Sequence, residues 1–302
     1  MIPWGITAGL IAAFAQSCSY FFSRRFLQRF PAAGLPSLLL TSHLYMGGAS
    51  LLLLLLLGHD LRQIAFLTYA LPLAGATGCY LLGQTGLFQA LRHAESSRVA
   101  AFLGLKILFL AGFVTLAHGQ ALGPVRWLAV FLSVAAAFCL NEAGGRLPAP
   151  AIAGLAVAVV GYSFSDLAIT ALITTLRPAL GARAPVLAVA LCYLLSGLLS
   201  LPFLLARRRE PAGAWRGALP YAAIWFIGIL FLFACFGQIG TVFGNVVQAT
   251  RSVMAILLGW AVMRRGWHHL EAKVPPAVFW KRLAGAALMT SAVALYTLAA
   301  RR

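Results

Sequence analysis

Apolar and polar positions alternate along this chain on the scale of whole segments. Ten apolar runs, at about 3–22, 36–57, 68–91, 97–117, 124–141, 150–176, 184–205, 217–238, 241–263 and 280–300, are divided by short polar stretches. A helix needs about 20 residues to cross roughly 30 Å of hydrocarbon, and each run is close to that length or longer. Strands of a transmembrane barrel would instead alternate over about ten residues. The pattern therefore predicts an all-α polytopic membrane protein with ten transmembrane helices. Leu51 to Leu57, seven consecutive leucines, reads as a lipid-facing stretch.

Composition narrows this further. Of 302 residues, 62% are apolar and 10% charged, and the mean hydropathy is +0.91; soluble domains have about 45–50% and about 25%. Ten spans leave connections of about ten residues each, too short for a large soluble domain. The start, Met1-Ile2-Pro3-Trp4, has no positive segment ahead of its apolar run, so that run reads as a retained span. Cys18, Cys79, Cys139, Cys192 and Cys235 all fall in apolar runs and form no C-x-x-C, so they read as small apolar residues and not as a disulfide or zinc framework.

Charge adds orientation. There are 23 Lys+Arg against 6 Asp+Glu, a net +17. The cations sit in short connections with no continuous basic face beside stacking aromatics, which argues against nucleic acid and for topology signals and lipid headgroup contact. Connections after runs 1, 3, 5, 7 and 9 hold 15 of them, Arg98 and Arg282 included; the other side holds 6; Lys106 and Arg251 lie inside runs. The positive-inside rule then places the odd-numbered connections in the cytoplasm and both termini outside. Trp4, Trp127, Trp215, Trp267 and Trp280 lie near run ends as interfacial anchors.

The chain also resembles itself. Glu95-Ser96-Ser97-Arg98-Val99-Ala100-Ala101-Phe102-Leu103-Gly104-Leu105-Lys106 aligns with Gly240-Thr241-Val242-Phe243-Gly244-Asn245-Val246-Val247-Gln248-Ala249-Thr250-Arg251, at an offset of 145 residues. Run 4 then lies over run 9, and Lys106 over Arg251. The division is residues 1–146 and 147–302, five spans each. Because five is odd, the second half is inverted in the membrane, which gives two inverted five-helix repeats and a site near the midplane.

Span number, half-chain repeat, short connections and the segments "SSRVAAFLGLKILFLAGF" and "TVFGNVVQATRSVMAILLGW" together resemble the drug/metabolite transporter superfamily, in its ten-span EamA type. The resemblance covers nearly the whole chain. It implies a two-fold-related bundle in which spans 1, 3, 4, 6, 8 and 9 surround a central cavity and substrate moves by alternating access. The family usually has a proline within the paired segments and a glutamate near the far end of the helix; here Lys106 or Arg251 stands at the first place and His118 or Met263 near the second. The family's termini are usually cytoplasmic, opposite to the charge count.

The chemistry follows from the few polar residues inside the runs. A charged residue at mid-depth costs about 2.5–3.5 kcal/mol on insertion scales, so Lys106 and Arg251 require a polar surrounding. They read either as cavity-lining ligands of an anionic phosphate or carboxylate or as members of an internal salt bridge. The sugar-phosphate translocators of the same superfamily are similar in using basic residues in these paired helices. Asp166, the one acidic residue well inside a run, reads as a proton-coupling site or as a counter-ion to Lys106 or Arg251. Tyr162 and Ser163 lie beside it on run 6, and Gln16 and Ser17 form a matching patch on run 1. Gln84 lies on run 3, and Asn245 and Gln248 share a face of run 9 with Ser252. His43 reads as a packing residue or a proton relay, His268-His269 as a solvated loop, and Trp225 and Trp260 as packing residues or cavity walls.

No G-x-x-x-x-G-K-[ST], H-E-x-x-H or paired carboxylates within a run occur, so no enzyme, metal or cofactor is expected. The expected function is secondary transport of a small organic solute, leaning to an anionic metabolite, with Asp166 modulating the two cations or coupling protons. Export of neutral or zwitterionic amino acids or drug-like metabolites is the first alternative, and a non-transporting membrane partner or flippase component the second. The expected setting is a bacterial inner membrane, as monomer or homodimer among lipids.

Overall fold

The computed structural model describes residues 2–94, 98–99, 102–117, 124–125, 127–129, 131–132, 135–136, 146–206, 211–264 and 275–299. Half of the fifth apolar run lies outside the described residues. So do Cys139, His118, Trp267, the His268-His269 pair, the glutamates Glu95, Glu142, Glu210 and Glu271, and the connection cations Arg126, Arg207, Arg208, Arg209, Arg265 and Lys273.

The described residues form helices and turns, with no strand among them. The α-helices are α1 Ile2–Arg29, α2 Gly34–Leu57, α3 Phe66–His93, α4 Leu105–Ala117, α5 Ala149–Leu180, α6 Ala184–Leu205, α7 Ala214–Ala249, α8 Arg251–Arg264 and α9 Pro276–Ala299; 3-10 turns follow α2 at His59–Gln63 and α5 at Gly181–Arg183. Among the described residues, five helical runs are long and apolar enough to cross a membrane: Pro3–Arg29, Gly34–Leu57, Phe66–His93, Ala149–Leu205 (which covers α5 and α6) and Ala214–Thr241. They are compatible with an integral membrane protein, since a helix satisfies its own backbone polar groups without water. Leu51, Leu52, Leu55 and Leu56 of the leucine run are exposed.

By packing, the chain divides into two compact units, Met1–Leu81 with Phe164–Thr241 and Leu82–Ser163 with Val242–Arg302. Each unit takes segments from both halves of the sequence, and α3, α5 and α7 contribute to both.

In the first unit α2 packs along α6. Their backbones are closest at two glycines: a Cβ built on Gly47 would stand 3.1 Å from the Cα of Gly197. Ser165 of α5 donates to the Ala76 carbonyl of α3 at 2.8 Å. Inside lies an aromatic cluster of Tyr80, Tyr193, Trp225 and Tyr221, in which Trp225 Nε1 donates to Tyr193 Oη at 2.8 Å. His43 joins it, with one ring nitrogen 3.3 Å from Tyr80 Oη and the other 3.2 Å from Ser200 Oγ. Both nitrogens are engaged, as a packing histidine requires. Trp225 is buried here, whereas Trp260 is exposed beneath the Arg264 guanidinium, 4.0 Å from its ring centroid. At the surface Arg183 pairs with Asp60, joining the two 3-10 turns.

In the second unit α3 and α5 touch backbone to backbone. A Cβ on Gly86 would lie 2.6 Å from the Gly154 carbonyl oxygen and 2.7 Å from the Ala158 nitrogen, and one on Gly154 would lie 2.7 Å from the Gly86 carbonyl oxygen. Small residues allow this approach, and dispersion between close backbones is a main source of helix association where no hydrophobic drive exists. The helix α9 packs on both α4 and α8.

Three expectations change. Runs 8 and 9 are not separated by a loop: α7 continues across 239–240 and is broken there only at Gly240, with φ 77° and ψ 165°, a region open essentially to glycine. The breaks fall inside runs 4 and 9 instead, at the Leu103–Gly104 turn and at Thr250. Arg98 and Arg282, read as connection residues, are buried at 6% and 4% exposure. Arg282 is the seventh residue of α9, because Pro276 opens the helix earlier than the apolar run suggested.

The glycine contact is testable by thermal unfolding of the purified chain in detergent. Gly86→Ala and Gly154→Ala are each expected to destabilise by about 1–3 kcal/mol, because the methyl meets backbone that has no rotamer to yield. Gly112→Ala, with nothing within 4 Å of its Cβ position, is expected to be neutral or stabilising by up to about 1 kcal/mol. Equal behaviour of the three variants would contradict the close packing.

Candidate functional site

The second unit gathers seven of the residues singled out in the sequence: Gln84, Tyr162, Ser163, Lys106, Asn245, Gln248 and Arg251. Lys106 is the second residue of α4 and Arg251 the first of α8. The same local event puts both there. The Lys106 amide reaches the Leu103 carbonyl at 3.2 Å, and the Thr250 amide reaches the Val247 carbonyl at 3.2 Å. These are i→i−3 bonds, the tighter turn that often marks a hinge in a helix. At Thr250 the side chain takes part, its hydroxyl donating to the same Val247 carbonyl at 2.7 Å; a threonine bonded to its own preceding turn competes with the helical ladder.

Lys106 and Arg251 line one small cavity together with Leu103, Gly104, Asn245, Gln248 and Ala249. Each of the two cations is 7% exposed. Its volume is about 10 Å³, roughly the space one water needs. Asn245 and Gln248, one turn apart near the end of α7, are buried. The sequence placed them and Arg251 on a single helix with Arg251 at the edge of the stripe. The break at Thr250 replaces that geometry, bringing Arg251 to the cavity from the start of a new helix. The side chain of Ser252 lies outside the description.

Lys106 is held from a second direction. Ser163 Oγ donates to the Lys106 carbonyl at 2.9 Å. The ammonium stands 6.0 Å from the Tyr162 ring centroid, at the outer limit of a cation–π contact, and the Tyr162 hydroxyl donates to Gln84 Oε1. The ring lies against the backbone of α3: a Cβ on Gly83 would be 2.8 Å from Tyr162 Cδ1.

The electrostatics favour negative charge. The first turn of a helix carries the positive end of its dipole, so a lysine or arginine there adds to a field that already attracts anions. Neither cation gains from its own helix, and burial adds a desolvation cost. Such a pair draws in counter-charge, from the protein or from a ligand.

The other site candidates belong to the first unit. Ser17 is buried and donates to Ala13 of its own helix at 2.8 Å, and Gln16 is buried on the same turn. Asp166 is 4% exposed on α5, with its carbonyl accepting from Thr170 at 3.1 Å. Thr170 also bonds the hydroxyl of Thr241. Sequence reasoning missed this hydroxyl pair, since single threonines in apolar helices carry no signal of their own. It also missed the burial of Arg282, for which the Pro275-Pro276 helix start was the available signal.

No model of a known protein family matches this chain, and no curated protein does. A solved structure described only as a crystal structure of a protein superposes on it with a TM-score of 0.59 at 20% sequence identity, over 98% of this chain and 98% of that one. The likeness is one of fold.

Gly83→Ala is expected to displace the Tyr162 ring and to cost about 1–3 kcal/mol. Tyr162→Phe, which keeps the ring and loses only the bond to Gln84, is expected to cost about 0.5–1.5 kcal/mol. Thermal unfolding of the two variants checks the order; a larger loss for Tyr162→Phe would mean that the ring does not depend on Gly83.

Proposed function

We propose that this protein is a secondary transporter, moving a small organic solute across a membrane by alternating access, and that the solute is an anion bearing a phosphate or carboxylate. The observation that carries the proposal is the pair Lys106 and Arg251: two buried cations, 145 residues apart, lining one cavity from the first turns of two interrupted helices. Interrupted helices whose N-termini face a polar cavity are a recurring device of secondary transporters for holding anionic groups. Arg251 supplies a planar fork and Lys106 a point charge, while Asn245 and Gln248 offer neutral donors.

The ten-span, inverted-repeat reading belongs to this proposal, and so does membership of the drug/metabolite transporter superfamily. Two features support the repeat. Both interruptions come at equivalent positions, just before Lys106 and just before Arg251. Further, α2 and α6, the second span of each half, pack directly on each other, as helices astride a two-fold axis would. Sidedness is supported within the first unit. Asp60 and Arg183, from connections 2 and 6, form an ion pair, while Arg25, Arg29 and Arg216, from connections 1 and 7, share another cavity. Even and odd connections thus fall into separate groups, with the basic odd group cytoplasmic and the protein in a bacterial inner membrane on this reading. Asp166 serves as proton-coupling site or counter-ion.

The cavity is far smaller than the 300–1,000 Å³ or so of a usual ligand site. In the transport reading this is a closed state that opens in the cycle. The same volume favours a second reading, a membrane protein that transports nothing.

Thermal stability of the detergent-purified chain against phosphorylated, carboxylated, zwitterionic and cationic metabolites separates the readings, because a ligand of the folded state stabilises it by mass action. Anions alone are expected to raise Tm, with Lys106→Ala and Arg251→Ala each weakening binding by at least about tenfold, the worth of one charge-assisted contact. Equal shifts by neutral compounds in both variants would leave the cations structural. No shift by any compound, with no uptake into proteoliposomes, would favour the non-transporting reading.

A further inference from the structure

The first unit has an opening of its own. It is a cavity of about 360 Å³ between the end of α1 and the start of α7, whose lining includes Phe22, Arg25, Phe26, Arg29, Phe30 and Arg216. We propose that it is a binding site for a phosphate-bearing ligand, held by the guanidinium groups of Arg25, Arg29 and Arg216.

The construction is specific. Arg25 and Arg29 are one turn apart on α1, so both reach the same side of that helix. Arg216 comes from the first turn of α7. All three are exposed, and among the described residues none of them meets a carboxylate. Guanidinium forks match phosphate oxygens bidentately, and three around one opening provide more positive charge than a packing role requires.

The rest of the cavity is apolar and rigid. Phe26 is buried, and its ring centroid is 5.2 Å from that of Phe30. Phe30 sits so close to α7 that a Cβ on Gly217 would overlap its ring, and Arg29 lies over Phe30, 5.5 Å from its centroid. Gly213, with φ 82°, turns the chain into α7 beside it. Aromatic floor and cationic rim together fit a group that is apolar at one end and anionic at the other. The arginines lie at the ends of two helical runs long and apolar enough to cross a membrane, so the ligand is either the phosphodiester of an anionic lipid or a free phosphate ester from solution. Near such a surface one arginine contributes about 1 kcal/mol.

This inference does not depend on what the cavity at Lys106 and Arg251 carries, and its test uses different residues. The full chain, purified in a neutral detergent, is titrated with phosphatidylglycerol, phosphatidylcholine or sn-glycerol 3-phosphate while Tm is followed. The proteins are the wild type, the Arg25→Gln/Arg29→Gln/Arg216→Gln variant and Arg24→Gln. Arg24 is adjacent on α1 but does not line the cavity, so it controls for surface charge.

Phosphatidylglycerol is expected to raise Tm of the wild type and of Arg24→Gln, with apparent affinity falling about fivefold per cavity arginine lost. Phosphatidylcholine is expected to do less. A lipid effect without one from glycerol 3-phosphate assigns a headgroup site; effects from both assign a phosphate site open to solution. If the triple variant does not fold, Arg25→Gln and Arg216→Gln, one on each helix, are titrated singly and each is expected to lose about fivefold. The proposal is overturned if no phosphate compound shifts the wild type. It is also overturned if the cavity variants respond like the wild type, or if Arg24→Gln loses as much as they do.

Discussion

Placing charge inside an apolar helical chain is the constraint on which this structure turns. With 62% apolar residues and only 10% charged, nearly every polar group within a helix must find a partner in the protein, because hydrocarbon offers none. Lys106 and Arg251 meet this demand in the same way. Each follows a break in its helix, each lies in the first turn of a new helical segment, and both line one cavity that also holds two carboxamide side chains. A continuous helix would have left Arg251 at the edge of the polar stripe. The break moves a cation to a place where polar neighbours and helix ends converge.

Around that constraint the scaffold is built from close approach. Gly86 meets Gly154, Gly47 meets Gly197, and Gly83 receives the Tyr162 ring. At such points the absence of a side chain lets backbones or rings come together, and dispersion accumulates along the helix pair. The glycine contacts also position chemistry. Tyr162 reaches Gln84 and faces Lys106 because it can lie flat on α3 beside Gly83. Positioning of the site and packing of the helices are therefore one set of contacts, and both are sensitive to a single methyl group.

The polar groups fall into two kinds. Several in the first unit's interior bond to one another: His43 is engaged at both nitrogens, and Trp225 bonds Tyr193. Ser17 bonds its own helix. These account for hydroxyls and rings in terms of packing. The cations behave differently. Lys106 and Arg251 are concentrated on a cavity, and Arg25, Arg29 and Arg216 on another. Each group is proposed above as a place for an anion.

Much of this was legible in the residues. Apolar run length determined that the chain is helical and compatible with a membrane, because a helix alone closes its own hydrogen bonds over some 20 apolar residues. Counting those runs separated α1, α2, α3, α5, α6 and α9 nearly as they occur. The rarity of charge within runs singled out Lys106 and Arg251, and polar spacing found Gln84, Tyr162, Ser163, Asn245 and Gln248 around them. Tertiary structure decided the rest. That the helices break at Leu103–Gly104 and Thr250 and not at a loop near 239–240 depends on competition among i→i−3 bonds, a threonine hydroxyl and the positive φ of Gly240, which leaves no trace in hydropathy. That Arg98 and Arg282 are buried, and that three arginines of two distant segments ring an aromatic cavity, depends on which helix ends meet. A periodic apolar pattern says which face of a helix avoids water; it does not say which partner that face will find.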